Sequence, residues 1–423
     1  MKKGLKAVLL ALVALSCAAG VALAQEEWVI LHYFIGDGFE VVPEYLISKG
    51  RREGIEYNHI GMALANGIDV YLQYFPYSED APVVRSRGVL ESSARGPSGR
   101  PYGVGRWEEV ERLSPAGQMD PLDPGVFVDA LDWVRRMAPG KKVFLAFESH
   151  GGGWQGVGSP LPRFEDGTPK RWKAIAEAIR ERGGVDFLVL SACLSAVPET
   201  LSAMEGIAPW VQAWGWIVTG DPTRSTYWGS LYWKNAASGE EVPRWMVEWK
   251  RKEGGESAAL AMIQTIFRPA RMKTVLQVLR EMAQRDRDGL IEAIEEATRR
   301  MPKYDTHSLC DVAYLVEALK KRGMDSDRLI RAWGEALLDG SVAGRTDLWG
   351  GLSGLLTLGG EDLGEWVIWD YAASCEEFAF LQPLPSSDPS LGWEEGGGCS
   401  IGSAGSPIFL TALVLFVAAN LRR

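Results

Sequence analysis

Two short apolar runs, each ending abruptly in a reactive side chain, constrain this sequence more than any other feature. The first leads Val143 to Trp154 (Val-Phe-Leu-Ala-Phe-Glu-Ser-His-Gly-Gly-Gly-Trp) and the second Phe187 to Ser195 (Phe-Leu-Val-Leu-Ser-Ala-Cys-Leu-Ser). Such runs fit strands buried on both faces of a parallel sheet. Helical patterns alternate with them. Phe127, Ala130, Leu131, Val134 and Met137 recur at helical spacing, with Asp123 as the expected N-cap, Pro124 at the first helical position and Pro139-Gly140 as the stop. Trp172, Ile175, Ala176 and Ile179 form a second stripe, ended by Gly183-Gly184. Helix, strand, helix, strand implies parallel strands joined by crossover helices. Sites in open sheets of this kind form beyond the carboxyl ends of the strands, where His150 and Cys193 fall. Neighbouring strands lie roughly 4.8 Å apart, so the two side chains could meet over one substrate.

The chemistry suits the pair. A thiol with an ordinary pKa of about 8.5 is only slightly ionised at neutral pH, and a nearby imidazole or helix N-terminus raises the thiolate fraction. A helix is expected to begin near Val197-Pro198-Glu199. The backbone N–H groups of Gly151 and Cys193 are candidates for binding the oxyanion of an acyl-transfer intermediate.

Ser149-His150-Gly151-Gly152-Gly153-Trp154 after one hydrophobic strand, and Ala192-Cys193-Leu194 after the next, resemble the clostripain-like cysteine peptidases of the wider caspase and gingipain clan. The resemblance extends to Met119-Asp120-Pro121 with its following helix, to Gly36-Asp37-Gly38 and Glu40, and more weakly to Asp305 to Leu319 and Gly351-Leu352-Ser353. It implies a Cys-His dyad, with Cys193 as nucleophile and His150 polarising the scissile carbonyl or protonating the leaving amine. It also implies a protein or peptide substrate, no required cofactor, and room for a structural calcium ion in some members. The chain departs from the family at Ser191, which stands where an acid usually selects arginine or lysine, and at Gly38, which stands where asparagine is usual. Ser191, Asp37 and Trp214 are therefore candidate pocket residues of altered specificity, Trp214 opening an aromatic-rich stretch to Tyr232.

Residues 1–24 read as a signal peptide, with Lys2, Lys3 and Lys6, an apolar segment and Ala22-Leu23-Ala24 before Gln25. Leu15-Ser16-Cys17 offers a second reading as a lipoprotein box; export follows from either. A net charge of −10 argues against nucleic acid as partner. No H-E-x-x-H, C-x-x-C, G-x-S-x-G or phosphate-binding loop occurs, and no metal site is expected. Further strands are expected at Trp28 to Phe34 and Ile68 to Phe75, and surface loops at Glu91 to Gly105 and Ser159 to Pro169. Ser257 to Met301, Thr306 to Lys321 and Asp325 to Leu338 read as helices, and Trp366 to Trp369 as a closing strand. His32 lies in an apolar strand and reads as a packed, hydrogen-bonded core residue, whereas His59 and His307 read as loop or helix-start residues.

The organisation expected is a three-layer α/β/α caspase-like sandwich with a mostly parallel sheet in residues 25–250, completed by a mainly helical subdomain in 251–381. A Pro-Ser-Gly linker, 382–398, then leads to a sorting signal or transmembrane segment in 399–423. Cys399, the apolar stretch Ile401 to Ala419 and Arg422-Arg423 resemble the tripartite signals of bacterial surface proteins, with a sorting peptidase as the implied partner; a plain membrane anchor is the other reading. Cys310 and Cys375 are either a disulfide or two unpaired thiols. The function expected is that of an exported, surface-anchored cysteine endopeptidase. The alternatives are an inactive peptidase-like binding module and a transpeptidase or maturation enzyme built on the same dyad.

Overall fold

The computed structural model describes residues 28–36, 46–149, 172–192, 195–214, 264–299, 307–337 and 355–359. The chain divides into two compact units, Met1–Gln382 and Pro383–Arg423, and the described residues all belong to the first. The second unit therefore takes the linker and tail expectations with it, outside the described residues.

The chain opens with β1 (Trp28–Ile35), then a small hairpin of β2 (Gly50–Arg52) and β3 (Ile55–Tyr57), helix α1 (His59–Ala65) and β4 (Asp69–Phe75). A long hairpin follows, β5 (Pro82–Arg95) and β6 (Pro101–Pro115), and then α2 (Pro124–Met137) and β7 (Lys142–Glu148). Next come α3 (Trp172–Glu181), β8 (Phe187–Ser191), α4 (Pro198–Ala203) and β9 (Val211–Trp214). The C-terminal portion holds β10 (Gln264–Phe267), α5 (Pro269–Arg285), α6 (Arg287–Arg299), β11 (His307–Asp311), α7 (Val312–Lys321), α8 (Ser326–Ala336) and β12 (Leu355–Gly359).

Eight strands form the central sheet in the order β10-β9-β8-β7-β1-β4-β5-β6. The five inner strands from β9 to β4 run parallel, and antiparallel strands close both sides. The parallel strands are buried on both faces, which is why β1 is apolar at nearly every position: all eight of its residues are buried. One face carries Val29, Leu31 and Tyr33 of β1, Leu145 and Phe147 of β7, and Leu188 and Leu190 of β8 against α2, α3 and the C-terminal helices. The other carries Trp28, Ile30, Phe144, Ala146, Phe187 and Val189, with Ile60 and Ala63 of α1 packed on them. Helices thus cover the two faces of a mostly parallel sheet, the architecture expected from the alternating pattern.

The expected punctuation at two helix ends is realised. Asp123 caps α2, its carboxylate accepting from the N–H groups of Gly125 (2.7 Å) and Val126 (3.3 Å). Gly184 takes a left-handed φ of 75°, and a Cβ there would lie 2.6 Å from the carbonyl oxygen of Ile207, so the turn from α3 into β8 admits only glycine. Asp325 occupies the N-cap position of α8, although its side chain makes no capping bond.

Three expected segments require correction, and one strand lies where none was expected. Glu91 to Gly105 is not a loop: it is the outer half of the β5–β6 hairpin, and the turn is confined to the residues between Arg95 and Pro101. Its β5 side, Glu91 to Arg95, is exposed and carries Glu, Ser and Arg, which look like loop by composition, whereas Tyr102 to Gly105 on the β6 side are buried. Backbone pairing holds the two strands together, with a cross-strand ion pair of Arg106 and Glu91 (3.5 Å) at its base. Ser257 to Met301 is not helical throughout: Gln264–Phe267 joins the central sheet as β10 before the helices begin. Thr306 to Lys321 is likewise split, β11 preceding α7, so that His307 opens a strand. The partner of β11 is β12, a strand at Leu355–Gly359 that the sequence pattern did not mark. Trp366 to Trp369 and Ser159 to Pro169 lie outside the described residues.

Candidate active site

The site is set by the pairing of β7 with β8. At their amino ends Asp186 fixes the register twice, donating its backbone N–H to the carbonyl of Val143 (3.0 Å) and accepting from the N–H of Val143 with its carboxylate (2.8 Å). From there the strands run in step, Phe144 beside Phe187 and Glu148 beside Ser191. One further ladder bond, from the N–H of Ser149 to the carbonyl of Ser191 (3.2 Å), keeps the strands together to the residue before His150. His150 follows Glu148 by two residues, and Cys193 follows Ser191 by two. His150, Gly151, Cys193 and Asp37 themselves lie outside the described residues, as does the side chain of Trp214, whose backbone ends β9 opposite Gln264.

The strand ends that precede the two reactive positions in sequence are polar. Glu148 and Ser191 are buried, 4% and 3% exposed, on the face that carries Ala146 and Val189. His32 projects from β1 on the same face, fully buried, with Nδ1 3.7 Å from Oε2 of Glu148. Ser191 Oγ makes no hydrogen bond among the described residues. On the carboxyl side of Cys193, the buried Ser195 hydroxyl donates back to the carbonyl of Leu190 at 3.1 Å. That bond ties down the two flanks of the segment containing the cysteine. The expected helix after it is α4, beginning at Pro198.

The motif Met119-Asp120-Pro121 is held to the sheet from the opposite face. The buried Tyr33 hydroxyl donates to the carbonyl of Pro121, and the Asp120 carboxylate accepts from the N–H of Leu122 at 2.8 Å. Burial, reinforced by the carboxylate of Asp120, pushes the Tyr33 phenol well above its ordinary value, so the donor stays protonated.

Sequence reasoning placed Ser191 in a pocket and His32 in the core; it did not join either to Glu148. The signal was present as an acidic residue closing an otherwise apolar run, two places before the histidine. Ser195 was also overlooked, because its role depends on a turn that the sequence alone does not display. Cys310 is buried in β11, and Cys375 lies outside the described residues. Among the described residues no cluster of three or more metal-ligating side chains occurs, and no helix is long and apolar enough to cross a membrane.

No protein-family model matches the sequence, and no curated protein matches it. Solved structures do match in fold. An inactive zymogen C11 protease from Parabacteroides distasonis superposes with a TM-score of 0.57 at 12% identity, over 85% of this chain and 98% of that one. A secreted C11 cysteine protease from Bacteroides thetaiotaomicron, solved with an irreversible peptide inhibitor, superposes with a TM-score of 0.55 at 12% identity, over 85% of this chain and 99% of that one. With helices on both faces of a mostly parallel sheet and two strands ending side by side at the motif residues, the chain has the caspase-like fold of the C11, clostripain-like cysteine proteases.

Proposed function

We propose that the chain is an exported cysteine endopeptidase in which Cys193 and His150 form the catalytic dyad. The observation that carries this reading is the register of β7 and β8. Glu148 and Ser191 are side by side, and the ladder continues to Ser149, so the two motifs follow in sequence from adjoining strand ends. In the reaction the Cys193 thiolate attacks the scissile carbonyl, forming a C–S bond. The N–H groups of Gly151 and Cys193 receive the oxyanion. The C–N bond breaks as His150 gives a proton to the leaving amine, and water then hydrolyses the thioester, returning the thiol. The peptide inhibitor on the secreted Bacteroides thetaiotaomicron protein supports a peptide substrate here. Residues 25–250 and 251–381 act as one catalytic unit, with the tail 399–423 holding it at the membrane or serving for transfer to the cell surface.

The test is turnover of a peptide library by the full chain purified in detergent, beside its Cys193→Ala variant. Cleavage by the parent and none by the variant is the expected result. Equal cleavage by both, or none by the parent together with no labelling of Cys193 by thiol-reactive peptides, would overturn the assignment in favour of a binding module.

A further inference from the structure

Three buried polar side chains occupy a place that the apolar core does not need. Glu148 stands directly across from Ser191 on the neighbouring strand, and His32 reaches to within 3.7 Å of the Glu148 carboxylate from β1. None of the three is more than 4% exposed. A carboxylate so far from water is costly to hold without a basic neighbour, and the imidazole supplies one at ion-pair distance. A single proton held by either member leaves the pair with no net charge. Beside it, Ser191 presents a buried hydroxyl with no hydrogen bond among the described residues, an arrangement folds rarely leave without a use. Glu148 and Ser191 close neighbouring strands and each comes two residues before a position assigned to the reaction.

We propose that Glu148, oriented by His32, is the specificity-determining residue of the pocket for the side chain on the acyl side of the cut, and that this pocket selects a carboxamide, glutamine foremost, over arginine or lysine. The inference rests on the peptidase reading above. The carboxylate oxygens of Glu148 accept hydrogen bonds from the amide N–H groups of the substrate. The Ser191 hydroxyl donates to its carbonyl or accepts from its nitrogen. A guanidinium or ammonium group entering the same place would bring a charge that the paired Glu148 and His32 do not balance, and would lose its water in doing so. His32 is a positioning residue, acting through the carboxylate that it holds.

The experiment compares kcat/KM of the full chain for peptides differing only in Gln, Arg or Ala on the acyl side of the cut. Glutamine is expected to exceed arginine by about tenfold or more, the scale of a charge-assisted hydrogen bond. Glu148→Gln should reduce the glutamine-to-alanine ratio by about tenfold, through KM more than kcat, and His32→Gln should reduce it in the same sense. A parent enzyme that prefers arginine, or a ratio unchanged in Glu148→Gln, would overturn the proposal while leaving the peptidase intact. Labelling of Cys193 by an alanine-bearing thiol-reactive peptide reports whether each variant is folded. If Glu148→Gln fails that check, Ser191→Ala decides: a lowered ratio sustains the pocket and an unchanged one refutes it. Absence of both turnover and Cys193 labelling in the parent would instead remove the peptidase reading, and the pocket with it.

Discussion

The two faces of the central sheet are built from the same strands and differ in how they end. On the face covered by α2, α3 and the C-terminal helices, the side chains stay apolar to the strand ends: Tyr33 and Ile35 on β1, Phe147 on β7, Leu190 on β8. On the other, Ala146 gives way to Glu148 and Val189 to Ser191 at the ends of β7 and β8, while on β1 His32 stands between the apolar Ile30 and Phe34. Packing alone would not produce that change, because the polar residues are as buried as the apolar ones they replace in the pattern. The contrast sets a face that stays apolar to its strand ends against one whose β7 and β8 ends are polar, the feature on which the proposed pocket rests.

The largest effect that would sharpen the contrast is on the apolar face. Phe147 is buried within a cluster containing Tyr33, Phe127 and Trp172, its ring 5.5 Å from that of Trp172. Phe147→Ala should cost about 3–5 kcal/mol in urea unfolding. A loss below about 1 kcal/mol would mean that this face is not the structural one. The polar face should respond with the opposite sign. Replacing the pair together, His32→Leu with Glu148→Leu, should leave stability unchanged or raise it by about 1–4 kcal/mol, while abolishing discrimination among peptides. If the double variant unfolds, the pair is structural and the contrast fails.

Smaller effects follow. Tyr33→Phe removes the hydroxyl that holds the carbonyl of Pro121 and should cost about 1 kcal/mol in the same unfolding measurement. The smallest effect lies away from the sheet, where Glu296 on α6 accepts from Lys321 and Arg322 at the end of α7. Those hydrogen bonds lower its carboxyl to about 2. Because the folded value lies below the unfolded one, the stabilisation is present above about pH 4.5 and is lost as pH falls towards 2. Glu296→Gln should therefore lower the melting temperature slightly at pH 6 and not at pH 2, as thermal scans at the two values would show.

Much of this arrangement was legible in the residues. The unbroken apolar runs of β1, β7 and β8 announce strands buried on both sides, and Asp123-Pro124 and Gly183-Gly184 mark helix limits through local chemistry that does not depend on the rest of the fold. What was not legible depends on partners distant in sequence. The outer hairpin of β5 and β6 has the composition of a loop because its stability comes from one strand lying along the other and from the contact with α1. There Asn58 accepts from the N–H groups of Gly61 (2.7 Å) and Gly105 (2.9 Å), and a Cβ on Gly61 would come within 2.2 Å of the carbonyl oxygen of Gly103. The joining of His32 to Glu148 was hidden for the same reason: nothing in a continuous apolar run says which face a residue takes, or that β1 lies beside β7.

The ladder bond from Ser149 to Ser191 has a consequence for how such a protein can change. Because the sheet itself sets the interval between the ends of β7 and β8, that interval behaves as a ruler read across the strands rather than along the chain. Insertions between Gly151 and Arg171 lengthen the chain that joins β7 to β8 without altering the pairing that sets this interval. The connection between β7 and β8 can therefore vary while the spacing of their ends stays constant.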